Sequence, residues 1–191
     1  MTNADILELR RISFHILALL EIKDQKTFKQ IYQLSNQVFP EHLRFNQQQY
    51  NDLLTSNTLW SVIQKKEDAI DGFFLSNQLE ESYYRINQTI LSKYYNENAE
   101  SFKRYIKALN NKKAIYYIDA VVSVQKGGMN LMVQKLKFKP EWFVFHGRIV
   151  GDKYKKIIKA LEANGYQNQL MYKCEGWVGG EAFMFVIMEK Q

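Results

Sequence analysis

The chain has 191 residues, 46% of them hydrophobic and 24% charged, the make-up of a globular domain with one sizeable core. One cysteine, Cys174, excludes an internal disulfide and a cysteine-based zinc site, and His15, His42 and His146 show no ligand spacing, so no metal is expected. A formal charge of +6 favours an anionic partner: a nucleotide cofactor, nucleic acid or an anionic surface.

The apolar run Ile16 to Leu20 is too short to span a membrane. Glu21, Lys23 and Asp24 follow it at once with no small-residue cleavage site, so the expected location is cytoplasmic, with no membrane partner. Met1 to Arg11 is left open between a short helix and a frayed leader. Ser13 to Ile22 reads as a strand, with Phe14, Ile16, Ala18, Leu20 and Ile22 on one face. Asp24 is a helix N-cap, followed by Phe28, Ile31, Tyr32 and Val38 at helical spacing, and Pro40 ends that element. Asn46 caps a second, short helix that buries Tyr50, Leu53 and Leu54.

Thr58 to Lys65 and Ala69 to Ser76 form a strand pair around the charged turn Lys66-Glu67-Asp68. Gln78 to Lys113 carries two helical sets: Tyr83, Ile86, Ile90, Leu91 and Tyr94, then Phe102, Tyr105, Ile106 and Leu109. Ile115 to Val124 is a β-branched and aromatic run suited to a central strand, with Asp119 its one charge. It turns through Gln125-Lys126-Gly127-Gly128 into a helix with Met129, Met132, Val133 and Leu136 on one face. Glu141 to Val150 is a strand. Gly151-Asp152 starts a helix with Tyr154, Ile157, Ile158 and Leu161 on its core face, closed by Asn164-Gly165. Gln169 to Cys174 and Ala182 to Met188 are the last two strands, with Gly176, Gly179 and Gly180 between them.

The strand-turn-helix around Gly127-Gly128 has a chemical consequence. The first amides of a helix have no partner within it, and the helix dipole attracts an anion to them. The glycines allow close backbone approach, and Lys126 adds a positive charge, so the segment offers a phosphate or pyrophosphate cradle. It matches neither a Walker A loop nor a G-x-G-x-x-G fingerprint.

Gln125-Lys126-Gly127-Gly128-Met129-Asn130 resembles the Q/R-x-x-G-x-G/A loop of the GNAT superfamily of acyl-CoA-dependent N-acyltransferases, with Asn130 departing from the usual Gly/Ala. The hairpin with Gly72, the LEANGY close at Tyr166 and the element order from 14 to 189 resemble the same family. The resemblance implies an α+β fold in three layers. Its sheet would be mixed, mostly antiparallel, of about seven strands, with helices on both faces. It implies one domain over 1–191, with a helical insertion at about 78–113 that departs from the family's usual short connection.

The resemblance implies an N-acetyltransferase that moves an acetyl group from acetyl-CoA, as co-substrate, to a primary amine of a small molecule or peptide by direct attack. Carried over by residue, Val122 and Val124 would offer backbone contacts to the pantetheine. Gln125, Lys126, Gly127, Gly128, Met129 and Asn130 would face the pyrophosphate. Many members dimerise, which makes a homodimer compatible with the resemblance. The family's catalytic Tyr position falls on Leu161 here. Tyr154, two turns earlier on the same face, is the substitute acid, against the alternative of a packed core Tyr. Asp119 is the candidate base, against the alternative of a merely hydrogen-bonded strand Asp. His146 and Arg148 share a strand face and are candidates to touch the acceptor or the phosphates. Cys174 has no visible His partner for a nucleophilic role.

Two other readings stand beside this one. A GNAT-fold protein could bind acyl-CoA or another ligand without turnover. A basic α+β module could bind nucleic acid, although Lys and Arg are spread along the chain without a cluster interleaved with aromatics. That module would gain if Lys112-Lys113, Lys135-Lys137-Lys139 and Lys153-Lys155-Lys156 shared a face.

Overall fold

The computed structural model describes residues 15–18, 25–56, 58–66, 68–78, 115–136, 139–175 and 180–191. Seven strands form one sheet: β1 (His15–Ala18), β2 (Trp60–Lys66), β3 (Ala69–Gln78), β4 (Ile115–Ser123), β5 (Trp142–Arg148), β6 (Tyr166–Cys174) and β7 (Phe183–Lys190). Their order across the sheet is β1-β2-β3-β4-β5-β7-β6, and every neighbouring pair is antiparallel except β4 and β5. The expected α+β architecture with a mixed, mostly antiparallel sheet is what the chain adopts. The helical insertion, the Asp24 cap and the leader lie outside the described residues.

Helices α1 (Gln25–Val38) and α2 (Gln47–Leu54) cover one face, and α3 (Gly128–Lys135) and α4 (Lys153–Glu162) cover the other. Alternation along the strands sorts the side chains between them. Phe73, Leu75, Ala120 and Val122 pack with Ile31, Leu34, Tyr50, Leu53 and Leu54 under α1 and α2. Phe74, Tyr116, Ile118, Phe143 and Phe145 pack with Met132, Val133, Ile157 and Leu161 under α3 and α4. The Phe74 and Phe143 rings meet edge to face at 5.8 Å across β3 and β5, which flank β4.

The caps and stops behave as their chemistry requires. Asn46 accepts from the Gln49 amide while the Gln49 side chain accepts from the Asn46 amide, a reciprocal capping box. The α1 face is rotated from the sequence reading: Thr27, Ile31, Leu34 and Ser35 are buried, Phe28 and Tyr32 are partly so, and Val38 is exposed. Ser35 lies inward because its hydroxyl is hydrogen-bonded to that of Tyr50. The helix expected from Gly151-Asp152 begins instead as a 3-10 turn over Val150–Asp152, because Gly151 and Asp152 both have positive φ, and the α-helix starts at Lys153. β6 starts at Tyr166, earlier than expected, since it pairs with β7 from Tyr166↔Lys190 onward.

Candidate functional site

β4 and β5 share only four rungs, Ile115↔Trp142 to Ile118↔Phe145. Beyond Ile118, β4 continues to Ser123 paired with β3 alone. Beyond Phe145, β5 continues to Arg148 paired with β7 alone. The sheet therefore forks. The register supplies a cause: Leu75 pairs with Ala120 and Ser76 with Ile118, so Asp119 is an extra residue in β4. Such a bulge bends its strand and adds twist, which turns β4 away from its parallel neighbour.

The far end of β4 leads into the glycine loop. Gly127 has φ +80 and is the N-cap of α3, so the loop enters the helix through a left-handed residue. The Gly128 amide donates to the Gln125 carbonyl at 3.2 Å and the Leu131 amide to Gly127 at 3.2 Å. The amides of Lys126, Gly127, Met129 and Asn130 have no backbone acceptor among the described residues. Four unpartnered amides at a helix N-terminus, with the exposed Lys126 beside them, form a concentrated site for an anion.

The floor beneath this loop is polar and tightly filled. A Cβ added at Gly128 would stand 2.6 Å from Gln64 Oε1 and closer still to Ser123 Oγ. Gln64 is fully buried, and neither its Nε2 nor its Oε1 has a partner among the described residues. Asp71 is the extra residue of a second bulge, since Gln64 pairs with Gly72 and Lys65 with Ile70. Its carbonyl accepts from the Val124 amide at 3.0 Å, and its carboxylate accepts from Gln125 Nε2. Burial raises the Asp71 pKa against the opposing hydrogen bond from Gln125. The loop therefore presents backbone amides and Lys126 rather than the Gln125 side chain. Asn130 is also engaged: its Oδ1 accepts from Asn164 Nδ2 at 2.8 Å, which ties α3 to the end of α4. The unpartnered amides at this helix N-terminus, with Lys126 beside them, suit a pyrophosphate.

Asp119 and Tyr154 flank the fork from opposite faces. Asp119 is half-buried and accepts from Asn77 Nδ2 at 2.7 Å. Asn77 alternates with Phe73 and Leu75, on the side of α1 and α2. Tyr154 lies on α4, half-buried against the other cluster. It stands over Gly147 of β5, where an added Cβ would come within 2.6 Å of the Tyr154 Cα. Leu161, where the resemblance would put the acid, is fully buried.

The sequence offered His146 and Arg148 as candidates, but not the side chains that hold them, Tyr117 and Glu181. Tyr117 Oη lies 2.8 Å from His146 Nδ1, and the His146 ring packs edge-on to Phe185 at 4.7 Å. Burial pushes the His146 imidazolium pKa down to about 3, so the ring is neutral near pH 7. Arg148 grips Glu181 through Nε at 2.8 Å and Nη2 at 2.9 Å, and His42 Nε2 reaches the same carboxylate at 3.0 Å. The bond from Arg148 holds the Glu181 carboxyl below its usual range. Gln64 and Asp71 were visible as polar residues in apolar strands. Asn77, Tyr117 and Glu181 carried no signal, because their placement follows from strand register. The side chain of Cys174 lies outside the described residues. So do Lys112, Lys113 and Lys137, and with them a single basic face.

No protein-family model and no curated protein sequence matches the chain. Solved structures do. The fold is similar to the ribosomal-protein-S18-alanine N-acetyltransferase from Escherichia coli, with a TM-score of 0.57 and 7% identity over 93% of each chain. It is similar to Arabidopsis thaliana NAA60 in complex with acetyl-CoA, with a TM-score of 0.56 and 11% identity over 92% of this chain and 97% of that one. A GNAT-family acetyltransferase from Streptococcus pneumoniae gives a TM-score of 0.54 and 7% identity over 93% and 99%. The chain has the GNAT fold. Among the described residues, no helix is long and apolar enough to cross a membrane, and no cluster of His, Cys, Asp and Glu could hold a metal ion.

Proposed function

We propose that the chain is an N-acetyltransferase that uses acetyl-CoA and acts on a primary amine by direct attack. The observation that carries this reading is the fork between β4 and β5, with the unpartnered amides of the 126–130 loop at its open end. A strand pair that parts leaves backbone groups for a pantetheine amide to bond, and the loop amides and Lys126 neutralise a pyrophosphate. Val122 lies on the parted length of β4. Val124 offers its carbonyl there, since its amide already bonds Asp71.

Bound acetyl-CoA supplies an activated acetyl thioester. The chain's own task is to take one proton from the amine and deliver one to the departing sulfur. Asp119, held by Asn77 on one side of the fork, is assigned as the base. Tyr154, on the α4 side, is assigned as the acid. This separation suits a reaction in which amine and thioester meet from opposite faces of the sheet. One observation favours binding without turnover: the position where the resemblance would put the acid holds a buried Leu161, so the reaction would rest on Tyr154.

Calorimetry with acetyl-CoA on the wild-type chain and on Gly128→Glu tests the reading. Micromolar binding by the wild type, lost in the variant, is the expected result. Absence of binding to correctly folded wild-type protein would overturn it.

A further inference from the structure

We propose that the acceptor amine carries a carboxylate and that Arg148 binds it; this rests on the acetyltransferase reading above. Arg148 ends β5, two residues beyond His146 and on the same strand face, so it lies on the sheet face opposite α4, past the last rung that β5 shares with β4. A guanidinium has five N–H groups in a planar array. Two of them, on Nε and Nη2, hold Glu181 side-on. That leaves two on Nη1 and one on Nη2, which have no partner among the described residues. One from each nitrogen forms the end-on edge of the group, which matches the two oxygens of a carboxylate.

The sign of the site follows from the same contacts. Both Glu181 oxygens are taken, Oε2 by Arg148 and Oε1 by Arg148 and His42. Glu181 is therefore spent as an anion, while Arg148 keeps an open donor edge. The pair is also partly withdrawn from water, with side-chain exposures of 20% for Arg148 and 18% for Glu181. An oxyanion bound there meets weaker solvent competition than at an exposed arginine. Glu181 fixes the plane of the guanidinium, and His42, from the turn between α1 and α2, braces Glu181 in place.

The test measures initial rates of CoA release with acetyl-CoA for a panel of L-amino acids and their carboxamides, and for O-phosphoethanolamine. Wild type, Arg148→Gln and Arg148→Lys are compared, with melting curves to confirm folding. The ratio of kcat/KM for acid over amide is expected to fall about ten- to hundredfold in Arg148→Gln, through KM. Arg148→Lys, which keeps the charge and loses the planar fork, should fall between. Equal or better use of the amides by the wild type, a preference for the phosphorylated amine, or an unchanged ratio in Arg148→Gln would overturn the proposal. So would failure to acetylate any carboxylate-bearing amine by protein that binds acetyl-CoA. Loss of acetyl-CoA binding itself would instead strike the reading beneath it.

Discussion

The Tyr117 hydroxyl and the His146 imidazole meet at 2.8 Å between β4 and β5, where the two strands stop sharing rungs. This contact joins a buried phenol to a histidine that burial keeps neutral. Its pH consequence has a definite sign. The folded pKa of about 3 lies below the ordinary 6.5. Between those values the unfolded chain binds a proton that the native state refuses. The contribution to stability is complete above pH 6.5 and is lost as pH falls toward 3. We expect His146→Gln to show a shallower loss of stability over that window than the wild type, by on the order of a few kcal/mol. Urea unfolding midpoints at pH 7, 5 and 4 check this, and parallel curves for the two proteins would refute it.

Gly128 separates two effects of the glycine loop. A Cβ there meets Gln64 and Ser123, so Gly128→Ala should displace the loop and weaken CoA binding about tenfold or more. Gln64→Ala in the same chain removes one of the two obstacles and should restore part of the affinity. Titration calorimetry on the single and double variants measures the recovery. A double variant no better than Gly128→Ala would show that Ser123 alone sets the limit.

Asp119 and Tyr154 are assigned to proton transfer rather than binding. Asp119→Asn keeps the hydrogen-bonding shape beside Asn77 and should lower kcat by about a hundredfold or more, with CoA affinity retained. Tyr154→Phe should lower kcat while the fold and CoA affinity persist. Steady-state kinetics check the roles: each variant should lose kcat while its KM for acetyl-CoA is unchanged. Unchanged kcat in either variant would remove that residue from the mechanism.

Gly147 makes room for α4. An alanine methyl would lie within 2.6 Å of the Tyr154 Cα, and backbone cannot yield as a side-chain end can. Gly147→Ala should cost about 1–3 kcal/mol and lower Tm by several degrees. Calorimetric melting reads this directly, and an unchanged Tm would mean that α4 shifts freely on β5.

The elements came from local chemistry, and much of the site came with them. Period-2 apolar runs marked the strands, the Asn46 box and the Gly165 cap marked helix ends, and Gln125 to Gly128 marked the loop, because these signals act within a few residues. What depends on which strand lies beside which was beyond local reading. The two bulges that make Asp71 and Asp119 extra residues exist only in register with β2 and β3. From them follow the fork, the turning of Asp119 to Asn77 and the capture of Gln125 by Asp71. Glu181 meets Arg148 and His42 across 33 and 139 residues of chain. The sequence by itself determined the helices, the strands and an anion-seeking loop, since propensity, capping and periodicity are short-range. Only the tertiary structure decided which polar side chains face the fork and which are held by one another, since strand pairing acts between residues far apart in the chain.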